Sequence, residues 1–204
     1  ADGRNEPSAD YLSHMSPYLH FGQISPLYIA DRIQRADVAQ DVKDAYLEQL
    51  IVRRELAINF VWFTRDYDEL DCLPEWAQRT LERHAGDERE YLYSYEQLEQ
   101  AQTHDRYWNA AMEEMRRIGF MHNYMRMYWG KKILEWSKSP EEAFDTTLRL
   151  NNKYFLDGRD PNSYAGVAWI FGKHDQAWKE RPVFGKTRYM NANGLRRKCD
   201  IDAY

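Results

Sequence analysis

Apolar residues recur at helical spacing along the chain, and no stretch alternates polar and apolar residues long enough to indicate a strand. Ser25 and Pro26 supply an N-cap and a first-turn proline for a helix that runs to about Arg35. A longer helix is predicted from about Val38 to Thr64, because this segment contains neither Gly nor Pro. The pattern therefore predicts an all-α fold with this long helix at its centre. Its apolar side is predicted to include Tyr46, Leu50, Leu56, Phe60 and Phe63.

The rest of the chain continues the helical pattern. The acidic stretch from Asp66 to Leu92 is predicted to hold short helices at the periphery, and the basic segment that follows residue 171 is predicted to be irregular. Ser139 is placed to cap a helix, because Glu142 follows three residues later. Further helices are predicted at about 106–118, 121–137, 140–155 and 163–171.

Length and composition predict one domain, residues 1–204, within a protein inside the cell, in the cytoplasm if the source is prokaryotic. No run approaches the roughly 18 apolar residues of a membrane span, and the first residues show no apolar signal-peptide core. Cys72 and Cys199 lie far apart and show no metal-ligand spacing, so both are interpreted as free thiols. We expect a monomer with no membrane partner.

The net charge of -5 is unevenly distributed. The segment from Asp66 to Glu99 carries 11 acidic and three basic residues, so the remainder of the chain has a net charge of +3. This remainder allows a basic face towards phosphates, although charge alone favours ordinary solvated helix faces. The basic residues concentrate at Arg116, Arg117, Arg126, Lys131, Lys132, Lys138, Arg181, Lys186, Arg188, Arg196, Arg197 and Lys198.

Three tryptophans are candidates for chemistry. Trp129 and Trp136 are seven residues apart on one predicted helix, so they share a face and lie about 10 Å apart along its axis. Trp108 lies on the preceding helix, and antiparallel packing would place its ring between the other two. Three adjacent indoles could relay electrons. Spacing alone favours the simpler interpretation, in which they are core residues.

Arg126 and Asn151 are ambiguous on the same grounds. Arg126 shares a helix face with aromatic residues and needs a carboxylate partner if it is buried, for which Asp157 is the candidate. Asn151 lies near a helix end, where Asn often serves as a cap. The six histidines show no metal-ligand spacing, and no Ser/His/Asp or Cys/His constellation is evident.

Five separated blocks of sequence resemble class II cyclobutane pyrimidine dimer photolyases in order and spacing. They are spread across most of the chain, from residue 16 to residue 169, and five blocks in fixed order are far more specific than one short motif. The blocks are SPYLHFGQIS (16–25), LIVRREL (50–56), THDRYWNAAMEEM (103–115), MHNYMRMYWGKKILEW (121–136) and LDGRDPNSYAGVAW (156–169).

The resemblance implies a photolyase/cryptochrome helical domain that encloses FAD, whose reduced form is active. Arg126 and Asp157 would form the salt bridge beside the isoalloxazine ring, and Asn151 would face its N5 atom. Segments on either side would complete the cofactor site. These cofactor-binding residues are Ser13, His14, Met15, Ser16, Gly158 and Arg159.

The resemblance also implies roles for the tryptophans and for a DNA partner. Trp129 would be the indole nearest the flavin, Trp108 the middle one and Trp136 the exposed end of a photoreduction chain. The partner would be UV-damaged DNA, whose pyrimidine dimer is flipped out of the duplex into the site. The lesion pocket would contain Gln49, Arg53, Met127 and Trp169, and the gap left in the DNA would be filled by Trp178 and Arg188.

The implied reaction is an electron cycle that needs no metal, nucleophile or general acid. Light-excited reduced FAD gives an electron to the dimer, the cyclobutane ring splits and the electron returns. Gln49 stands where the family usually has Glu, and it can still hydrogen-bond but carries no charge. Family members also have an N-terminal α/β domain, absent from this chain, so an antenna chromophore is expected only in a longer parent protein.

Two other functions are compatible with the sequence. A cryptochrome-like light sensor would use the same flavin and tryptophans to change conformation. A helical DNA-binding or scaffold module without flavin is the third hypothesis. Flavin absorbance separates this third hypothesis from the others, and light-dependent repair separates the first two.

Overall fold

A computed structural model describes residues 6–9 and 11–204, and its first half is built of helices joined by loops. The helix predicted over Val38 to Thr64 is present, but its middle is wound as a π-helix. Such π segments are rare and frequently lie at functional sites. The elements of this part are α1 (Ser16–His20), α2 (Pro26–Arg35), α3 (Gln40–Leu47), the π segment (Glu48–Arg53) and α4 (Arg54–Phe63).

The second half confirms the predicted helices and adds others. Within the described residues there is no β-strand, only an isolated bridge between Arg181 and Gly185, so the all-α prediction is confirmed. The elements are a 3-10 turn (Leu70–Cys72), α5 (Glu75–Arg83), α6 (Tyr95–Glu99), α7 (Arg106–Ile118), α8 (Asn123–Trp136), α9 (Pro140–Tyr154), α10 (Pro161–Ile170) and α11 (Ala192–Lys198).

Helix α11 corrects the prediction of an irregular C-terminal segment. Asn191 caps it, because its side chain accepts a hydrogen bond from the backbone N–H of Gly194. The last turn carries Arg196, Arg197 and Lys198, which suit the negative end of a helix. The short helix was missed because Leu195 is its single buried residue and leaves almost no periodic pattern.

Helices α7 and α8 form the centre of the core. Trp108 near the start of α7 contacts Trp136 at the end of α8, so the two helices run antiparallel. Gly119 ends α7 in the left-handed region at φ 68°, a conformation that favours glycine. Side chains from both helices, such as Met112 and Ile133, are completely buried.

The helix predicted to be central is instead largely peripheral. Its predicted apolar side is wrong at two positions, because Leu56 and Phe63 are 52% and 77% exposed. The side that packs inward carries Leu50, Ala57 and Phe60. The apolar residues of α4 are distributed around nearly the whole circumference of the helix, so the sequence pattern does not distinguish its inner face.

The acidic stretch is also less peripheral than predicted. Ala77 and Leu81 of α5 are completely buried, and the acidic residues of this stretch other than Asp87 are exposed. The N–H of Lys186 donates to the hydroxyl of the buried Thr80, which ties the C-terminal loop to α5. Gly185 passes so close that a Cβ there would lie 2.3 Å from the Thr80 hydroxyl.

Candidate active site

Arg126 and Asp157 form the ion pair that was predicted for them. The Arg126 Nη2 atom lies 3.0 Å and 3.2 Å from the two carboxylate oxygens of Asp157. The Arg126 Nε–H also donates to the Met121 carbonyl, and the guanidinium carbon lies 3.8 Å from the centre of the Phe155 ring. Because both charged side chains are mostly shielded from water, their attraction is stronger than that of a surface pair.

The three tryptophans are packed together in the predicted order. The Trp108 indole N–H donates to the Trp129 carbonyl at 2.9 Å, and its ring centre lies 5.6 Å from that of Trp136. On the other side, the Trp129 ring is 6.2 Å from Phe155, the residue that Arg126 covers. These contacts, one of which runs through the Trp129 backbone carbonyl, therefore form a buried path from the ion pair to the end of α8.

Two properties of this path could not be predicted. Trp136 is only 2% exposed, which corrects the expectation of an exposed terminus, because the rings of Tyr93 and His104 cover it at 5.4 Å and 5.2 Å. At the other end, the Trp129 indole nitrogen is buried and makes no hydrogen bond within the described part of the chain. A buried N–H group normally makes a hydrogen bond, so we expect a hydrogen-bond acceptor beside this nitrogen.

The segment Ser13–Ser16 lies against the connection between α7 and α8. His14 adopts φ 51°, and its ring packs 4.7 Å from that of Phe120 in the connection between α7 and α8. Glu114 interacts electrostatically with both Arg126 and His14, and burial raises the pKa of its carboxyl above the ordinary value. Glu114 was missed because nothing in its helical spacing separates it from the neighbouring surface acids.

Asn151 is buried, and both protons of its amide group are used. The amide nitrogen lies 2.9 Å from the Asn152 side-chain oxygen and 2.5 Å from the Ser163 hydroxyl. The Arg159 N–H donates to the same Asn152 oxygen, which holds the loop onto the end of α9. Gly158 belongs to this contact, because a Cβ there would lie 3.0 Å from the Asn151 carbonyl.

Two of the four residues predicted to contact the lesion come together. The Arg53 guanidinium lies 5.9 Å from the centre of the Trp169 ring and 3.2 Å from the Glu48 carboxylate. Gln49 is exposed on the same π segment as Arg53, one turn earlier. Met127 lies on α8, where it packs partly buried against the core.

Trp178 and Arg188, predicted to fill a gap in DNA, form a stacked pair. The Arg188 guanidinium lies 4.7 Å from the centre of the indole ring. The Trp178 N–H of the backbone donates to the Lys186 carbonyl at 2.8 Å, and its indole N–H points at the Asp175 carboxylate at 3.3 Å. An exposed aromatic ring is thereby held rigidly beside a cation.

Lys131 was not recognised as unusual in the sequence. It is completely buried in α8, and its ammonium donates to the Ile170 carbonyl at the end of α10. Burial lowers the pKa of its amine to about 7, with a smaller opposing effect from Asp175. In the sequence it appears as one of several lysines and arginines on a predicted basic surface.

The part of the chain that the structure describes contains neither a metal-binding cluster nor a helix suited to cross a membrane. No cluster of three or more His, Cys, Asp or Glu side chains is suited to hold a metal ion among these residues. None of their helices has the length and apolar character needed to cross a membrane. Cys72 and Cys199 are buried free thiols, as predicted.

The chain is similar to curated proteins along nearly its whole length. It is 61% identical to the deoxyribodipyrimidine photo-lyase of Methanothermobacter thermautotrophicus over 98% of the chain, which is 44% of that protein. It is 54% identical to the protein of the same name from Oryza sativa subsp. japonica and 52% identical to that from Arabidopsis thaliana, covering 40% and 41% of them. No protein-family model matches the chain.

The all-helical fold is the one expected for the helical domain of a photolyase. This similarity to the curated proteins identifies the chain as a photolyase domain. It spans about two fifths of the length of the curated relatives it matches. All of these relatives carry the name of a repair enzyme, which favours the repair hypothesis over the light-sensor hypothesis.

Proposed function

We propose that residues 1–204 are the FAD-binding catalytic domain of a light-driven enzyme that splits cyclobutane pyrimidine dimers in UV-damaged DNA. The observation that carries this proposal is the aromatic path from the Arg126–Asp157 pair to Trp136. It occurs in a chain 52–61% identical to three proteins named deoxyribodipyrimidine photo-lyase. Because those proteins are longer, the activity of the whole enzyme is part of the proposal.

The residues near the inner end of the path suit a flavin. The buried Trp129 indole nitrogen has no hydrogen-bond partner within the described residues, and a ligand placed beside it could supply one. Arg126 and Asp157 offer a donor and an acceptor that are already oriented by each other. The remaining contacts are assigned to Asn151, Gly158, Arg159 and the segment Ser13–Ser16. Bound and reduced, FAD would supply the light-absorbing electron donor.

The chain's own residues would then perform two tasks. Trp136, Trp108 and Trp129 would carry electrons inward from the end of α8 to bring the cofactor to its active reduced form. Their burial keeps water away from the path, and their fixed contacts hold the ring positions without rearrangement. No residue of this path needs to bind DNA.

The lesion would be bound where the exposed Arg53 side chain lies beside Trp169. Arg53 can contact phosphate or base oxygens, and Gln49 can both donate and accept hydrogen bonds to a pyrimidine edge. Trp178 and Arg188 would occupy the space left by the flipped nucleotides, a use of aromatic side chains known from other DNA-distorting proteins. Met127 would complete the pocket from α8.

The direct test follows the loss of cyclobutane dimers from a defined oligonucleotide. The purified chain is supplied with FAD and a chemical reductant, bound flavin is measured by absorbance, and illuminated samples are compared with dark ones. We expect dimer loss only under blue or near-ultraviolet light. Bound flavin without light-dependent loss would contradict the repair function and favour the sensor, and a chain that binds no flavin would contradict both.

A matched pair of variants tests the electron path. Trp129→Phe should slow light-driven reduction of oxidised flavin, while repair by chemically reduced protein is retained. Trp62→Phe is the control, because Trp62 lies 81% exposed on α4, away from the path. Equal photoreduction in both variants would contradict the assigned path without affecting the repair assay.

A further inference from the structure

The two residues assigned to the gap in DNA lie at the two ends of a hairpin, residues 178–188. The backbone N–H of Trp178 donates to the Lys186 carbonyl at 2.8 Å. Nearer the tip, Arg181 and Gly185 exchange two backbone hydrogen bonds of 2.9 Å and 2.8 Å. The position of the Trp178 indole therefore depends on where this hairpin is held.

One arm of the hairpin is not fixed by burial. Residues 177–181 are all exposed, whereas Val183 and Phe184 near the tip are buried. Val183 adopts φ 64°, which a β-branched residue rarely does, so its conformation depends on the contacts around it. Because the exposed arm carries Trp178, polar contacts are needed to hold the indole in place.

His84, which directly follows α5, makes such contacts on both sides of its ring. Its Nε2 atom lies 3.0 Å from a carboxylate oxygen of Glu180 in the exposed arm. Its Nδ1 atom lies 2.6 Å from a carboxylate oxygen of Asp87, and the same oxygen accepts the backbone N–H of Val183 at 2.8 Å. His84 is thereby linked directly to the exposed arm and through Asp87 to the tip.

Both contacts of His84 can be hydrogen bonds only when the imidazole is protonated. A neutral ring carries one N–H, whereas the imidazolium carries one on each nitrogen. A neutral His84 would leave one bare nitrogen facing a carboxylate. The hydrogen bonds with Glu180 and Asp87 raise the pKa of His84 above its ordinary value of 6.5, against a smaller opposing effect of burial. The cations that act on these two carboxylates are Arg83, Arg89 and Lys186.

We propose that His84 is a positioning residue for damaged DNA, which in its protonated form bonds Glu180 and Asp87 together and so holds the hairpin that presents Trp178 and Arg188 to the gap. This inference rests on the proposed function, which assigns these last two residues to DNA. Loss of the proton removes one of the two hydrogen bonds and releases the exposed arm. The flavin site and the tryptophan path take no part in this role.

The proposal predicts the direction of a pH effect. Because the pKa of His84 is raised, the proton is present below the raised value and is lost as the pH increases through it, above 6.5. The preference for damaged DNA should therefore weaken with increasing pH. Lys131 also titrates near pH 7, and its charge acts on Asp175, which contacts Trp178. Only the part of the pH effect that disappears when His84 is replaced is assigned to His84.

The experiment measures DNA binding in the dark by fluorescence anisotropy, at about pH 6 and about pH 8.5. The flavin-loaded chain is given one oligonucleotide with a defined cyclobutane dimer and one undamaged oligonucleotide, and the preference is the ratio of their dissociation constants. We expect this preference to fall by about five- to tenfold at the higher pH, the loss expected for one hydrogen bond to a charged group. Binding of undamaged DNA should change little, because it offers no gap.

Two substitutions of His84 should have opposite results. His84→Gln removes the charge and should give the weaker preference at both pH values. His84→Arg keeps a permanent charge with several N–H groups and should give the stronger preference at both. The control is His104→Gln, because His104 is exposed and bonded to Tyr93, outside the hairpin. It should reproduce the native preference at both pH values.

A repair assay distinguishes positioning from general damage to the fold. With chemically reduced protein, His84→Gln should need more DNA for half-maximal repair, while the maximal rate is unchanged. Circular dichroism checks the fold of each variant. A correctly folded His84→Arg that binds as weakly as His84→Gln would overturn the proposal, since charge and hydrogen bonds would then not explain the effect.

Trp178→Ala separates failure of this inference from failure of the proposed function. If this variant loses the preference for damaged DNA but His84→Gln keeps the native pH dependence, His84 does not position the hairpin, and the assignment of Trp178 to DNA stands. If the native chain shows no preference at either pH value, or if Trp178→Ala retains it, the assignment of the hairpin to DNA is itself wrong.

Discussion

Helix α8 and the helical stretch Gln40–Phe63 are both rich in large apolar residues, yet they differ greatly in burial. In α8 even Lys131 and Lys132 are buried, and its tryptophans are almost inaccessible. In the longer stretch the buried side chains are few. Its exposed large apolar residues are Val42, Ile51, Val52, Leu56, Trp62 and Phe63.

The difference shows that burial is decided by neighbours rather than by the composition of a helix. Helix α8 is enclosed by α7, α9 and α10, whereas α4 packs chiefly against α10. A helix that is apolar on all sides is stable in water only when other elements cover it. An apolar face of this size is typical of a contact surface, and it adjoins the π segment that carries Gln49 and Arg53.

The largest predicted effect compares the same substitution on the two helices. Leu134→Ala removes a completely buried side chain from α8 and should lower the free energy of unfolding by about 2–5 kcal/mol. Leu56→Ala acts on a half-exposed leucine and should cost less than about 1 kcal/mol. Urea denaturation followed by circular dichroism measures both.

Similar losses for the two leucine variants would contradict this division of the molecule. They would mean that Leu56 is covered in solution, for example by a second copy of the chain. Repeating the measurement at several protein concentrations distinguishes the cases, because stabilisation by association depends on concentration.

Much of the fold was predictable where local signals and packing agree. The caps at Ser25 and Ser139 placed the starts of α2 and α9 correctly, because capping depends on residues adjacent in sequence. The inner face of α4 was not predictable, since that face is chosen by α10, a distant segment. The short helix α11 was not predicted for a related reason, because one buried leucine does not form a periodic pattern.

The second effect concerns Lys131, whose charge is costly to bury. With the folded-state pKa near 7 and an unfolded value of about 10.4, the unfolded chain binds more protons between these values. The free energy of unfolding should therefore rise with pH above 7, by at most about 1.4 kcal/mol per unit. Lys131→Met should remove this slope and stabilise the chain at pH 7 by on the order of 1–2 kcal/mol.

Lys43→Met is the control for this measurement. Lys43 lies on α3 and donates to the Gln34 carbonyl at the surface, so its loss should change stability little at pH 7 or pH 9. Denaturation of the native chain and both variants at these two pH values suffices. A slope in Lys131→Met as steep as in the native chain would show that another group titrates.

The residues of the candidate site were predicted from the resemblance to a known family. The structure brings several of them together. Arg126 forms an ion pair with Asp157, and Trp178 stacks with Arg188. Trp108 lies between Trp129 and Trp136. The predicted exposure of Trp136 was wrong, because the residues that cover it lie in irregular segments without a periodic pattern. Burial by irregular segments leaves no pattern in the residues that become buried.

The smallest effect compares alanine substitutions at two glycines. It tests how tightly α8 packs against α10. A Cβ on Gly130 would lie 2.3 Å from Cδ1 and 3.1 Å from Cγ1 of Ile170, so Gly130→Ala forces the isoleucine to move. The cost of overpacking, about 1–3 kcal/mol, exceeds the gain in helix propensity, which leaves a net loss of about 1 kcal/mol. Gly166 of α10 has no atom within 4 Å of its Cβ position, so Gly166→Ala should stabilise by about 0.5–1 kcal/mol. Thermal denaturation should therefore shift the two midpoints in opposite directions, and a stabilising Gly130→Ala would mean that α8 and α10 are less tightly packed than the Ile170 contact indicates.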